Sequence, residues 1–218
     1  MRNKGSLLKE LPVLVVVALV VSLLIKTFLV QFFYIPSGSM ENTLQVKDRV
    51  AVNKLPFLSK DINRGDVVVF RDPDNWLPQI TDYGTNKYVA KAKGALVAVG
   101  VLPNPAKQYL VKRVVGVAGD HIVCCTKSGN LTINDVEVTE PYIFDGNKPS
   151  EMTFDVTVPK GKLWVMGDHR SASADSRYHQ EDINKGFVPL SRVTGRVVAI
   201  IWPFENITYV PKVDVLKK

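Results

Sequence analysis

The chain has 218 residues, of which 46% are hydrophobic and 22% charged, and its formal net charge is +7. This composition excludes an intrinsically disordered chain, and the length allows one large domain or two small ones with a buried core. Residues 1–31 carry four basic residues and one acidic residue, and no basic helix or run of arginines follows them, so we expect no nucleic-acid partner.

The first predicted element is a membrane anchor over residues 11–31. Residues 11–25 form an uncharged apolar run, and apolar residues continue beyond Lys26. A helix that crosses the hydrocarbon core needs about 20 residues, which this segment provides if the Lys26 side chain reaches the interface. A cleavable signal peptide is the alternative, but no small-x-small cleavage pattern follows residue 25, which favours an uncleaved anchor.

The residues on either side of the anchor predict its orientation. Residues 1–10 are polar and basic, which places them in the cytoplasm by the positive-inside rule. Residues 32–218 then lie outside the cell membrane of a bacterium as an extracytoplasmic domain. Phe32, Phe33 and Tyr34 are suited to the aromatic belt at the membrane interface.

Beyond the anchor, short apolar runs alternate with turns, which is typical of a mostly β domain with an antiparallel sheet rather than of βαβ units. Candidate strands occupy residues 49–53, 66–70, 109–117, 121–125, 131–133, 153–158, 162–166 and 196–201. Prolines and glycines interrupt residues 71–107, which we expect to be an insertion. Residues 122–160 are predicted to form a smaller β subdomain.

The sequence offers no recognisable metal or phosphate site. Its three histidines and its two adjacent cysteines, Cys124 and Cys125, lack a known ligand spacing, and no glycine-rich loop joins a strand to a helix. We therefore expect neither a metal nor another cofactor. For Cys124 and Cys125 we favour a pair of strand residues with one buried thiol, and a vicinal disulfide is the alternative.

Three segments carry residues that could perform nucleophilic or acid-base chemistry. Residues 35–40 (Ile-Pro-Ser-Gly-Ser-Met) put Ser39 at a glycine-containing bend, where backbone N–H groups can approach a ligand closely. Lys112 lies on an apolar strand that could desolvate its amine and lower its pKa, or it could be a charge that guards a sheet edge. Residues 166–178, rich in hydroxyl and charged side chains, form either a solvated turn or a network that orients a neighbouring group.

The order and the amino-acid sequences of these segments resemble those of the bacterial type I signal peptidases, which are serine endopeptidases that remove signal peptides from exported proteins. The matching strings lie at residues 34–40, 48–54, 64–70, 111–116, 119–120, 167–168, 173–178, 186–189 and 195–196. They cover most of the chain outside residues 71–107 and 126–159.

The resemblance implies a serine-lysine dyad in which Ser39 is the nucleophile and Lys112 is the general base, a known variant of the catalytic triad. It also implies an oxyanion hole made by the Ser39 backbone N–H and the Ser37 hydroxyl. The Ser173 hydroxyl matches the group that orients the lysine amine.

The resemblance further implies a supporting salt-bridge network and a substrate class. Asp168, Asp175 and Arg177 match the members of that network. Because the family cleaves after small residues at substrate positions −1 and −3, the expected partners are the signal peptides of exported preproteins. The lipid bilayer and, transiently, the secretion machinery are the other expected partners of a monomeric enzyme.

Four apolar residues flank the matched catalytic positions and are candidate walls for the substrate pockets. They are Phe33, Ile35, Met40 and Val111. As residues of predicted strands, they could equally belong to the hydrophobic core.

The chain departs from the family pattern near the site. Glu41 and Asn42 stand where a proline usually follows Ser-Met-x, His169 stands where asparagine is common, and residues 179–185 make a longer spacer than in many members. Neither of the first two departures touches the dyad. The longer spacer predicts an enlarged loop near the site.

Three other functions stay open at this stage. A serine-histidine hydrolase could use His169 with Asp168, although adjacent residues of an extended chain point to opposite faces. A soluble self-cleaving repressor also uses serine and lysine, but it would carry a DNA-binding domain in place of the apolar N-terminal run. A membrane-anchored β domain that binds peptides or envelope components would need the Ser-Gly-Ser loop only as structure.

Overall fold

The structure is a computed structural model that describes residues 10–21, 29–55, 61–78 and 108–213. Its regular elements are mostly strands. These are β1 (Val30–Tyr34), β2 (Arg49–Asn53), β3 (Val67–Arg71), β4 (Tyr109–Gly116), β5 (His121–Cys124), β6 (Leu131–Ile133), β7 (Val136–Glu137), β8 (Phe154–Thr157), β9 (Lys162–Met166), β10 (Val188–Pro189), β11 (Val193–Trp202) and β12 (Thr208–Tyr209). Residues 10–21 are helical, and short 3-10 turns follow β9 and flank β11.

An antiparallel sheet holds the larger part of these strands, in the order β1-β2-β11-β3-β4-β9-β10, and β12 pairs with β11. Its interior strands read as continuous apolar runs because both faces of the sheet are covered. In β3, Val67 and Val69 belong to one core cluster, whereas Val68 and Phe70 belong to another on the opposite face. The predicted mostly β, antiparallel architecture is confirmed.

A second sheet, in the order β7-β6-β5-β8, occupies residues 121–157, within the region predicted to be a smaller β subdomain apart from its first residue. Its core continues into the larger sheet through Trp164 of β9. The Trp164 ring is buried and packs against Phe154 of β8 and Phe187, with ring centroids 5.4 and 5.3 Å away. The two sheets therefore share a hydrophobic cluster.

Cys124 and Cys125 form a vicinal disulfide where β5 ends. The favoured prediction of two unbonded strand residues is therefore wrong, and the alternative of a vicinal disulfide is present. Cys124 is buried within the core cluster of the second sheet, as expected for one of the two sulfurs.

All eight candidate strands of the sequence analysis are present, with ends shifted by up to three residues. Strands β1, β7, β10 and β12 were not predicted. Three of these are only two residues long, too short for an alternating pattern to be visible. The longer one, β1, lies in the segment that the sequence analysis assigned to the anchor and its interface.

The predicted anchor over residues 11–31 needs correction at its C-terminal end. Val30 and Gln31 belong to β1, whose residues pair in register with β2. An apolar run of this length does not by itself distinguish a strand from a helix, and pairing with β2 satisfies the backbone here. Phe33, assigned to the membrane interface, instead packs edge-on against Tyr109 with ring centroids 5.0 Å apart.

The helical residues 10–21 begin one residue before the predicted anchor and otherwise lie inside it, and residues 22–28 lie outside the described part of the chain. Within the residues that the structure describes, no helix has the length and apolar character needed to cross a membrane.

The predicted insertion begins where β3 ends. The Asp72 carboxylate accepts hydrogen bonds from the backbone N–H groups of Trp76 (2.8 Å) and Leu77 (2.9 Å), which closes a turn. Trp76 is buried between Phe70 and the ring of His179, which is stacked on it at 4.4 Å. The rest of the insertion, residues 79–107, falls outside the described residues.

Candidate active site

The loop between β1 and β2 carries Ser39 and is fixed at its base and near its centre. The Ile35 N–H donates a hydrogen bond to the Asp48 carbonyl (2.9 Å), which closes the base of the loop. The side chains of Ile35 and Met40 are buried in the core on either side of the serine. Ser39 is only 8% exposed as a result, whereas Ser37 is exposed.

Lys112 of β4 reaches the serine. Its side chain is buried, with the residue 4% exposed, and its Nζ donates a hydrogen bond to Ser39 Oγ at 2.6 Å. Within the described part of the chain, this is the hydrogen bond that the amine makes. The structure thus brings together the two residues that the sequence analysis selected as nucleophile and base.

The surroundings of Lys112 favour its neutral form. Burial lowers the pKa of the Lys112 amine from 10.5 to about 8, because the charged form loses its hydration. The carboxylates of Asp175 and Asp168 raise this pKa, and the positive charge of Arg177 lowers it. The amine is therefore uncharged in a substantial fraction of molecules near pH 8, and an uncharged amine can accept a proton.

Ser173 lies beside the dyad without bonding to Lys112 in the described structure. The buried Ser173 hydroxyl donates a hydrogen bond to Asp175 Oδ2 at 2.7 Å. Gly167 separates it from the nucleophile: a Cβ at this glycine would stand 2.3 Å from Ser173 Oγ and 2.4 Å from the Ser39 carbonyl oxygen. Glycine is required here because the backbone itself fills the space between the two serines.

Asp175 and Arg177 form a fully buried ion pair under Ser173. Arg177 Nε donates to Asp175 Oδ1 (2.9 Å) and its Nη2 to Oδ2 (2.9 Å), and the Gly167 N–H donates to Oδ2 (3.0 Å). Burial alone would raise the pKa of Asp175, but the hydrogen bonds and charge of Arg177 hold it below its usual value. The carboxylate therefore stays ionised and accepts the hydrogen bond from the Ser173 hydroxyl.

Asp168 belongs to a separate ion pair with Arg113, which the sequence analysis missed. Arg113 grips the buried Asp168 carboxylate in a bidentate pair, with Nε–Oδ1 at 2.8 Å and Nη2–Oδ2 at 2.6 Å. The guanidinium also lies 4.0 Å from the centre of the Tyr142 ring and donates to Thr43 Oγ1 (2.9 Å). The signal that could have identified Arg113 is its position next to Lys112 in the matching string at residues 111–116.

Arg170 does not join either of these pairs. Its guanidinium pairs with the buried carboxylate of Glu140, which was also not predicted. Asp168, Asp175 and Arg177 therefore do not form one continuous salt-bridge network. They belong to two parallel arginine-carboxylate pairs, with a third pair at Arg170.

The three histidines are engaged away from the serine side chain. Each pairs with a carboxylate: His121 with Asp155, His169 with Glu41, and His179 with Asp182. His169 does contact the nucleophile loop, but through its backbone N–H, which donates to the Ser39 carbonyl at 3.2 Å. No pairing of His169 with Asp168 as a catalytic base is present in the described structure.

The candidate pocket residues divide into two pairs. Ile35 and Met40 are almost fully buried in one core cluster. Phe33 and Val111 are partly buried and pack against the edge of the same cluster. All four therefore surround the Ser39 loop, and the half-buried pair leaves apolar surface accessible beside it.

The described residues hold no group of three or more histidine, cysteine, aspartate or glutamate side chains arranged to bind a metal ion.

The lowered pKa of Lys112 makes a prediction about stability. Between pH 8 and 10.5 the unfolded chain binds more protons at this lysine than the folded protein does, so stability rises with pH across that window. Replacement by methionine removes this cost. Below pH 8, the free energy of unfolding of Lys112→Met is expected to exceed that of the parent by up to about 3 kcal/mol. The difference should shrink towards pH 10.5.

Denaturant unfolding of the full chain in detergent, at pH 7 and pH 10, measures this difference. Lys148→Met is the matched control because the Lys148 side chain is 75% exposed. Its effect should be small at both pH values. A Lys112→Met effect that does not depend on pH contradicts the lowered pKa.

Comparison with known proteins identifies the family of this chain. The family described as signal peptidase, peptidase S26, matches residues 8–202. A probable signal peptidase I of Mycobacterium leprae is 36% identical over 228 residues, covering 92% of this chain and 78% of its own length. The signal peptidase I of Mycobacterium tuberculosis is 37% identical, with coverages of 92% and 74%, and that of Bacillus licheniformis is 30% identical, with 94% of each chain covered. The chain therefore belongs to the signal peptidase family, peptidase S26, and is a serine endopeptidase of signal peptide processing.

Proposed function

We propose that this chain is a membrane-bound signal peptidase I that cuts exported preproteins after small-x-small sequences such as Ala-x-Ala. Ser39 is the nucleophile and Lys112 the general base. The observation that carries the proposal is the 2.6 Å contact between the buried Lys112 amine and Ser39 Oγ, in a site whose surroundings lower the pKa of that amine.

In the proposed mechanism, Lys112 transfers one proton in each of the two half-reactions. The neutral amine accepts the Ser39 hydroxyl proton as the oxygen attacks the scissile carbonyl carbon, forming a C–O bond. The resulting ammonium gives this proton to the leaving amine as the C–N bond breaks, which leaves an acyl-enzyme ester on Ser39. The leaving amine is the new N-terminus of the mature protein, and the signal peptide is the acyl group. Lys112 then deprotonates a water that attacks the ester carbonyl, and this proton passes to Ser39 Oγ as the ester C–O bond breaks and the signal peptide leaves with a new carboxylate.

The negative charge that develops on the carbonyl oxygen needs donors close to Ser39. We assign this role to the Ser39 backbone N–H and the Ser37 hydroxyl. Gly38 lies between them, and the buried Ile35 and Met40 side chains fix the loop, so the backbone N–H of the buried Ser39 is held before the substrate arrives, with the Ser37 side chain exposed beside it. Donors that are already in place need little reorganisation during the reaction.

An extended peptide can bind beside the dyad by adding to an open strand edge. Strand β4 pairs with β3 from Tyr109 to Arg113, but with β9 only from Arg113 onwards. Within the described residues, no strand pairs with the other edge of residues 109–112. Main-chain hydrogen bonds along such an edge bind a peptide irrespective of its sequence, and pockets for alternate side chains provide selectivity.

We assign the selectivity for small side chains to the apolar surface around the loop. Phe33 and Val111 are half-buried there, above the buried Ile35 and Met40. Because a well-packed core leaves little space, side chains larger than alanine are disfavoured at such a surface. The charge of Asp175, which also accepts the Ser173 hydrogen bond, acts on the lysine by raising its pKa.

Cleavage of a model preprotein with Ala-x-Ala before its junction tests the proposal. The parent chain in detergent is expected to cut after the second alanine, and Ser39→Ala and Lys112→Ala should each lose at least about 1,000-fold in kcat while remaining folded. Mass spectrometry of the products locates the cut. His121→Ala, which removes a histidine far along the second sheet, is the control and should cut normally.

Two outcomes would contradict the assignment. Cleavage by Lys112→Ala at the parent rate would mean that another group is the base. A parent chain that never cuts would favour the alternative of a membrane-anchored peptide-binding domain.

The proposed base also predicts how activity depends on pH. Only the neutral amine of Lys112 can accept the serine proton, so kcat/KM should rise with pH and level off above about pH 8. The Asp175 carboxylate raises the pKa of Lys112, so Asp175→Asn should move this rise to lower pH. Asp155→Asn, at an exposed position of the second sheet, is the control and should leave the profile in place. A rise that neither Ser173→Ala nor Asp175→Asn moves would argue against their acting on the lysine.

We further propose that the catalytic domain lies against the outer surface of the cell membrane, next to its N-terminal anchor. Four exposed aromatic residues support this location: Phe32, Tyr34, Trp202 and Tyr209. Residues opposite one another on paired strands share a sheet face. One row of paired residues runs across the sheet from Phe32 through two alanines to Tyr209. A second row runs from Tyr34 through Arg49 to Trp202. We call these four residues the aromatic face.

The aromatic face begins on β1, directly after the segment assigned to the anchor. Aromatic rings are favoured at the boundary between lipid and water, and Arg49 within the same rows suits anionic headgroups. A membrane-bound substrate signal peptide would then reach Ser39 without leaving the surface of the bilayer.

Tryptophan fluorescence in lipid vesicles tests this placement. Trp202 is 43% exposed, whereas Trp76 and Trp164 are buried, so brominated lipids should quench the emission of Trp202 alone. The full chain reconstituted in phosphatidylglycerol-containing vesicles is expected to show quenching that disappears in Trp202→Phe. Equal quenching in Trp202→Phe, or none in the parent, would contradict contact between the aromatic face and the membrane.

A further inference from the structure

We propose that Glu41 and His169 are positioning residues that hold the turn around Ser39 in register with Lys112. The proposal rests on the proposed chemistry of Ser39 and Lys112 and assigns a role to two residues that lie next to the dyad. Neither side chain touches the reacting atoms.

The first observation is that His169 holds the nucleophile turn at two points. Its backbone N–H donates to the Ser39 carbonyl at 3.2 Å, and its ring Nδ1 donates to Glu41 Oε2 at 2.9 Å. The turn itself is closed by the Glu41 N–H, which donates to the Gly38 carbonyl at 3.0 Å. Ser39 therefore lies inside a closed set of contacts formed by Gly38, Glu41 and His169.

The second observation is that the His169 ring is fixed from its other side. It stacks on Phe144 with ring centroids 4.1 Å apart and the planes inclined by 13°. The Phe144 N–H donates to the Asp168 carbonyl at 2.9 Å, which holds the stacked ring next to the residue before His169. The imidazole is thus a rigid link between the segment around Phe144 and the turn.

The third observation concerns the space around Gly38. A Cβ at this glycine would stand 2.7 Å from the Glu41 carboxyl carbon, so the carboxylate lies directly against the backbone between Ser37 and Ser39. The Glu41 side chain therefore supports the part of the loop to which we assign the oxyanion hole. His169 keeps the carboxylate there by hydrogen bonding.

The consequence is geometric control of a short contact. Ser39 Oγ and Lys112 Nζ are 2.6 Å apart, and small displacements of catalytic groups can lower a rate by orders of magnitude. Loss of the Glu41–His169 contact leaves the side chains of the dyad intact but frees the turn that carries the serine. We expect the loss to lower kcat and to leave substrate binding along the β4 edge nearly unchanged.

Steady-state kinetics of the full chain in detergent, with an Ala-x-Ala peptide, test the proposal. Glu41→Ala and His169→Ala are each expected to lower kcat by about tenfold and to change KM by less than about twofold. The double variant should be no slower than the slower single variant, because both remove the same contact. Glu41→Gln should keep kcat within about threefold of the parent, because its amide oxygen still accepts the imidazole N–H.

Two further variants separate positioning from general structure. His121→Ala removes a histidine-carboxylate contact of similar length, 2.7 Å to Asp155, on the second sheet, and it should leave kcat unchanged. Should His169→Ala fold poorly, as judged by its melting temperature, His169→Phe keeps the stacking on Phe144 and removes only the hydrogen bond. It is expected to show the same tenfold loss of kcat.

The proposal is overturned if the single variants keep kcat within twofold of the parent, or if their losses multiply in the double variant. A loss in KM rather than kcat would also overturn it. These results differ from failure of the proposed function, in which the parent chain itself does not cleave or Lys112→Ala remains active.

Discussion

The site is organised around one physical constraint: a buried amine, whose charged form burial disfavours, is surrounded by charged groups. Lys112 is buried, which disfavours its ammonium form, but two carboxylates lie close enough to raise its pKa again. Each of those carboxylates is held by its own arginine, Asp175 by Arg177 and Asp168 by Arg113. The positive charge of Arg177 lowers the pKa of Lys112 and so opposes the effect of the carboxylates. Both arginines also satisfy carboxylates that burial would otherwise leave unpaired.

The fold meets this constraint by joining three distant segments. The nucleophile comes from the loop between β1 and β2, the lysine from β4, and the supporting serine and carboxylates from the residues after β9. Strand β11 pairs with both β2 and β3, so the N-terminal hairpin and the strands around Lys112 form one sheet. Gly167 then lets the segment after β9 approach the Ser39 loop at backbone distance.

Sequence predicts the parts of this arrangement that are local or that match a family motif. The apolar runs of β3 and β4 identify strands, and the motifs identify Ser39 and Lys112, which the structure places in contact. The ion-pair partners of buried charged residues could not be predicted in this way, because they depend on which segments meet in space. Asp168 and Arg170 are two residues apart in the chain, yet they pair with Arg113 and Glu140 from different strands and turns. Strand β1 was misassigned for a related reason, since its apolar residues fit both a membrane helix and a sheet covered on one face.

The vicinal disulfide has a consequence for how the domain folds and oxidises. The chain has two cysteines, and they are bonded to each other. With a single possible intramolecular pairing, oxidation has no wrong isomer to correct, and the bond closes no long loop whose formation must await the folding of distant segments. The bonded pair also leaves the chain with no free thiol. The domain can therefore oxidise and fold without any rearrangement of disulfide bonds.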